Sequence, residues 1–141
     1  MSQIAATSSR TFGQLPSNQP SMRSNKTALA LFDIRDNGNY ALDFVAGLSL
    51  DDFKNDRMRF YAVTRALEII SEAARRLPPD LHARHPELPW RAIMGAGNVY
   101  RHDYDNVAEE IVWRTVQNNL APLLAAIKSE LAENSEGDQK Q

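Results

Sequence analysis

The chain has no cysteine in its 141 residues. Disulfides, a thiolate nucleophile and cysteine-ligated zinc are therefore excluded, and the composition fits a reducing compartment, so the cytoplasm is the expected location. It also lacks any apolar run approaching the roughly 20 residues that cross a bilayer. No apolar core of the kind a secretory signal needs lies near the N-terminus. Excess charge is missing too: Lys and Arg number 16, Asp and Glu 18, for a net charge of −2. Such a chain is not a bulk electrostatic ligand for nucleic acid, so any RNA site has to be a local patch. Strict apolar–polar alternation, the mark of a half-buried strand, is absent. What the chain does have is apolar residues at three-to-four spacing, in a length suited to one domain with a modest core.

Taken in order, residues 1–25 are rich in Ser, Thr, Gln, Asn and Pro without period, and are expected to form a disordered leader. Met22 near its end is a second candidate start. Residues 26–133 are expected to be the helical domain and 134–141 a flexible acidic tail. Leu29, Leu31, Phe32, Ile34, Tyr40, Leu42, Phe44 and Val45 predict a first helix ending at Gly47, with Gly38 as a weak point. Ser49 is a natural N-cap for a second helix, with Asp51 and Asp52 in its first turn. The stripe Phe53, Phe60, Val63, Leu67, Ile70, Ala74, Leu77 predicts that this helix runs unbroken to Leu77, where Pro78-Pro79 stops it. His82 to Pro89 is expected to be a loop, with at most a short turn over 80–84. Trp90 opens a third helix after Pro89. A last helix is expected over about 108–131, kinked or divided by Pro122. The fold class that follows is an all-α bundle of four or five helices.

The densest chemistry lies in Pro89 to Tyr104, PWRAIMGAGNVYRHDY. Gly95 and Gly97 each cost about 1 kcal/mol against alanine inside a helix, so a close approach by a helix, subunit or ligand is expected there. His102, beside Arg101, Asp103 and Tyr104, is the candidate general base; the alternative is a surface histidine on a polar helix end. His82 and His85 are either metal ligands or solvated loop histidines, and with no third ligand at motif spacing the second reading is preferred. The arginines from Arg57 to Arg114 form either a basic groove or a solvated face with local acidic partners, again with the second preferred. Trp90 and Trp113 are expected to fill the core.

Several ordered segments together resemble the HepT-like toxin family, within the HEPN class of helical nucleases. They are Phe44 to Ser49 with Phe53, Ala62-Val63 with Leu67 to Ile70 and Glu72-Ala73, and Pro86 through Pro89 to Ile93. Asn98, His102, Asp103 and Tyr104 follow, then Ile111 to Trp113 and Leu120 to Leu123. The resemblance implies an up-and-down HEPN-like bundle that is homodimeric and acts as a metal-independent endoribonuclease toxin on RNA, without a cofactor. Its catalytic pattern is an arginine, four residues, a histidine, one residue and a tyrosine. His102 and Tyr104 match; the arginine position falls on Gly97, and Arg101 is a neighbouring cation rather than a matched one. His102 and Arg101 are the implied catalytic candidates, with Asn98 and Arg91 as binding residues. Arg91 lies roughly 16 Å from position 102 along a helix and would reach a site only across a dimer. Also implied is an MntA-like nucleotidyltransferase antitoxin that transfers AMP to Tyr104. The departure at Gly97 keeps a second reading open, in which a weak or inactive dimer serves as a binding module for that partner.

Overall fold

The computed structural model describes the backbone of residues 19–102 and 107–139, and the side chains of 25–96 and 108–133. Six helices and no strand occur among the described residues: α1 (Gln19–Val45), α2 (Leu50–Lys54), α3 (Arg57–Arg76), α4 (Pro79–Arg84), α5 (Trp90–His102) and α6 (Val107–Gln139). The first helix thus begins inside the expected leader and the last extends into the expected tail.

The direction of each helix follows from its contacts. Arg59 at the start of α3 donates to the Phe44 carbonyl at the end of α1, at 2.6 Å, and Arg76 at the other end of α3 pairs with Asp33 at 2.8 Å. Helices α1 and α3 are therefore antiparallel. Trp90 stacks on His82 just beyond the end of α3, and Met94 meets Ser71, so α5 runs back along α3. The first turns of α6 lie beside α2, through Lys54–Glu110 at 2.8 Å and Phe53–Trp113 at 5.5 Å. Its far half reaches Arg84 through Glu130. The result is an up-and-down bundle of α1, α3, α5 and α6, with α2 and α4 as short connectors.

The buried face of α1 mixes large and small residues. Leu31, Ile34, Gly38, Ala41 and Val45 are all buried and recur at alternating spacings of three and four. A Cβ added at Gly38 would lie 2.6 Å from Leu124 Cδ2 of α6, so this glycine admits a close approach of α6 to α1. Conversely, Leu29, Phe32 and Tyr40, expected in the apolar face, are exposed. The expected stop holds: Gly47 has φ 78°, a left-handed conformation that favours glycine and ends the helix.

The expected unbroken helix from Ser49 to Leu77 is two helices. Ser49 Oγ accepts from the Asp52 amide and Asp52 returns a bond to the Ser49 amide, both at 3.1 Å, which caps α2 at both positions. Asp56 then caps α3 by accepting from the Arg59 amide at 3.1 Å. Phe53 and Phe60 are seven residues apart and make ring contact across the break, so the apolar period continues in phase and conceals it. Within α3, Val63, Ala66, Leu67, Ile70, Ala73 and Ala74 form the buried stripe. Pro122 does not divide α6. The amide it lacks would have bonded the Asn118 carbonyl, and both residues are exposed, where water can serve that oxygen.

Candidate functional site

The start of α5 is fixed by a set of paired polar groups. Trp90 is 9% exposed, and its indole N–H is shared between the His82 and His85 carbonyls at 3.1 and 3.0 Å. Its ring stacks on His82 with centroids 4.4 Å apart. His82 Nε2 lies 3.0 Å from the Ala74 carbonyl, which can only accept, so that nitrogen carries the proton. His85 Nε2 lies 2.6 Å from Glu130 Oε2, and its Nδ1 lies 3.6 Å from Glu87. Arg84 grips the same Glu130 as a fork, Nη2 to Oε1 at 2.7 Å and Nε to Oε2 at 3.1 Å. Glu130 is 4% exposed. The Arg84 hydrogen bonds, with a further contribution from His85, outweigh desolvation and hold its carboxyl below the usual range; the Arg84 guanidinium is raised in turn.

The preferred reading of His82 and His85 as solvated loop histidines is thereby corrected. Both are half-buried structural groups, one closing the end of α3 and the other hydrogen-bonded to a carboxylate on the inner face of α6. Among the described residues, no three His, Asp or Glu side chains are grouped to hold a metal ion. The preference for locally paired arginines fares better: Arg59–Asp56, Arg84–Asp80 and Arg114–Glu110 are such pairs, while Arg76 reaches across to Asp33 of α1. Trp90 is in the core as expected, and Trp113 packs against it while half-buried.

The remaining candidates follow α5 outward. Ala92, Ile93 and Ala96 face a cleft of about 200 Å³ between α5 and α6, floored by Leu67 and Ile70 of α3. Its lining is mostly apolar, with Thr115 and Asn119 as the polar members and no charged side chain, so it is unsuited to a charged phosphate. The opposite side of α5 carries Arg91, which is exposed, and Gly95, where an added Cβ would meet nothing within 4 Å. Close helix packing against Gly95 is therefore not found among the described residues. At 100° per residue, positions 91, 95, 98 and 102 fall on one face of the helix. Asn98, Arg101 and His102 belong to the last turns of α5 by backbone, and their side chains lie outside the described residues, as does Tyr104 altogether. The structure thus shows which face and which end of α5 carry these positions.

An all-α up-and-down bundle with such a polar helix face defines a class that comparison narrows. A family model described as Ribonuclease HepT-like matches residues 34–130, and the chain belongs to that family. A Methanocaldococcus jannaschii protein named as a putative RNase is 32% identical over 108 residues, 77% of this chain and 88% of its own. A second protein of that organism, named likewise, is 33% identical over 90 residues, 64% of this chain and 83% of its own. A Thermococcus cleftensis protein named "Probable ribonuclease HepT" is 36% identical over 81 residues, 57% of this chain and 74% of its own. No solved structure matches the chain. No helix among the described residues is long and apolar enough to cross a membrane.

Proposed function

We propose that this protein is a metal-independent endoribonuclease of a toxin–antitoxin pair, acting in the cytoplasm as a homodimer. The observation that carries this reading is the match to the HepT-like family across 34–130, which includes the helix carrying His102. In this reading His102 takes the proton of a ribose 2′-hydroxyl, which attacks the adjacent phosphate. The bond to the 5′-oxygen of the next nucleotide breaks, leaving a 2′,3′-cyclic phosphate and a 5′-hydroxyl. A nearby cation stabilises the charge that develops on the phosphate oxygens. Arg101 is next to the base in sequence. Asn98 and His102 share a register face with the exposed Arg91, which in a dimer would lie toward the second protomer's site. Tyr104 would accept AMP from a nucleotidyltransferase antitoxin, placing a bulky phosphodiester beside the histidine.

Gly97 occupies the motif's arginine position, and this specific departure favours a second reading. A site without that cation is slowed by roughly two or three orders of magnitude, and the dimer then serves chiefly to bind the antitoxin. Cleavage of RNA by the purified full chain in excess EDTA, with a cyclic-phosphate product and loss of activity in His102→Ala, supports the enzyme. A rise in rate on Gly97→Arg assigns the wild type to the slowed form. No cleavage by either chain, with antitoxin binding retained, leaves the binding module. Intact mass after incubation with ATP, magnesium and the antitoxin, on wild type and Tyr104→Phe, tests the acceptor.

A further inference from the structure

Ser71 and Arg75, one turn apart on α3, converge on a single backbone oxygen of α5. The Met94 carbonyl lies 2.7 Å from Ser71 Oγ, 2.9 Å from Arg75 Nε and 2.7 Å from Arg75 Nη2. All three atoms are donors, and a carbonyl has two lone pairs, so these side chains saturate it. In a helix that oxygen ordinarily serves the amide four residues on, here that of Asn98. Ser71 is 1% exposed, within the apolar stripe of α3, and this bond satisfies its hydroxyl. The Arg75 guanidinium meets a neutral acceptor here, so the contact provides orientation rather than charge neutralisation. A fork that places two N–H groups on one oxygen fixes rotation as well as distance, which a lysine ammonium does not.

The place of the gripped carbonyl along α5 gives it a purpose. Gly95 follows directly and no neighbour in the protomer packs on it. Gly97 comes two residues later, and each glycine weakens a helix interior by about 1 kcal/mol against alanine. Met94 is therefore a firmly held point directly ahead of two helix-weakening glycines. Position 102 lies eight residues further on, about 12 Å along the axis. Any rotation of α5 at Met94 carries the whole face bearing positions 98 and 102 with it.

We propose that Arg75, assisted by Ser71, is a positioning residue for His102: it locks the height and rotation of α5 on α3, so that the glycine-softened turns deliver position 102 to a fixed place. What the positioned histidine does rests on its reading as the general base; the mechanical lock does not. The test uses the full chain as wild type, Arg75→Ala, Arg75→Lys, Ser71→Ala and His102→Ala, with amide hydrogen exchange and RNA cleavage read side by side. In Arg75→Ala, exchange over 96–102 should quicken about tenfold or more, the equivalent of one lost hydrogen bond, while 112–127 of α6 is unchanged. Arg75→Lys and Ser71→Ala should fall between, and His102→Ala should exchange as wild type does. In cleavage, Arg75→Ala should lower kcat about tenfold at constant KM and leave the midpoint of the pH–rate profile in place, because the base is displaced rather than retuned. Wild-type exchange over 96–102 in Arg75→Ala overturns the proposal, and so does acceleration spread equally over α1 and α6. The exchange pattern as expected, with no cleavage by any chain, upholds the lock and removes the nuclease reading instead.

Discussion

At the Trp90 end of α5, polar groups are closed upon one another: the indole on two carbonyls, His82 on Ala74, and Arg84 and His85 on Glu130. Toward the other end the pattern reverses. Among the described residues the space over Gly95 is open, and two buried side-chain oxygens without a described hydrogen-bond partner, Thr64 Oγ1 and Glu109 Oε2, belong to the first half of α3 and the first turn of α6. That is the end toward which α5 runs. His82 and His85 each commit Nε2 to a partner within the protomer, Ala74 O and Glu130 Oε2, and serve the framework.

The largest effect that would break this contrast is at the closed end. Trp90→Ala should cost about 3–5 kcal/mol of stability by chemical denaturation, the usual loss for a buried aromatic. A loss under 1 kcal/mol would mean the closed end is not what anchors α5. Next is Arg84→Met, which leaves the Glu130 carboxylate buried beside His85 alone. Because Arg84 is about half exposed, the expected cost is about 2 kcal/mol rather than the full value for a buried pair. The same pair predicts a pH dependence. The Glu130 carboxyl is held below its ordinary value, so its contribution is fully present above the unfolded value of about 4.3 and is lost as pH falls through the folded one. Wild type should therefore lose stability below about pH 4 more steeply than Arg84→Met, as thermal unfolding between pH 3 and 6 would show.

Two glycines sharpen the comparison at smaller cost. At Gly38→Ala the new methyl meets the end of the Leu124 side chain, which can turn aside, so about 1 kcal/mol of destabilisation is expected. At Gly95→Ala no neighbour in the protomer is met, and stability should rise by about 0.5–1 kcal/mol. If light scattering shows that the same change dissociates a dimer, the open face of α5 is where the second copy packs. If the dimer persists with the gain in stability, it packs elsewhere.

Much of the fold was legible because long amphipathic helices declare their period. The stripes of α3 and α6, the cap at Ser49 and the stop at Gly47 all follow from residue type and spacing. The break at Asn55-Asp56 escaped notice because Phe53 and Phe60 stay in phase across it. The face of α1 was read in part: Leu31, Ile34 and Val45 are buried as expected, but Leu29, Phe32 and Tyr40 are exposed, while the small Ala30, Gly38 and Ala41, which carry little apolar signal, complete the buried face. Glu130 falls in the apolar stripe of α6 and was not singled out in the sequence; its partners lie 45 and 46 residues away, a separation no local pattern reveals. The serine at position 71, between Ile70 and Ala73 in a buried stripe, was the one local sign of the contact with Met94.

The account assigns chemistry to one of three histidines, and that assignment can be read directly. Limited modification of the native chain with diethyl pyrocarbonate, mapped by peptide mass while RNA cleavage is followed, distinguishes them. The account predicts that carbethoxylation of His102 comes first and tracks the loss of cleavage, while His82 and His85, held by Ala74 and Glu130, stay unmodified until the protein unfolds. Modification of His82 or His85 ahead of His102, or cleavage that survives complete modification of His102, would contradict it.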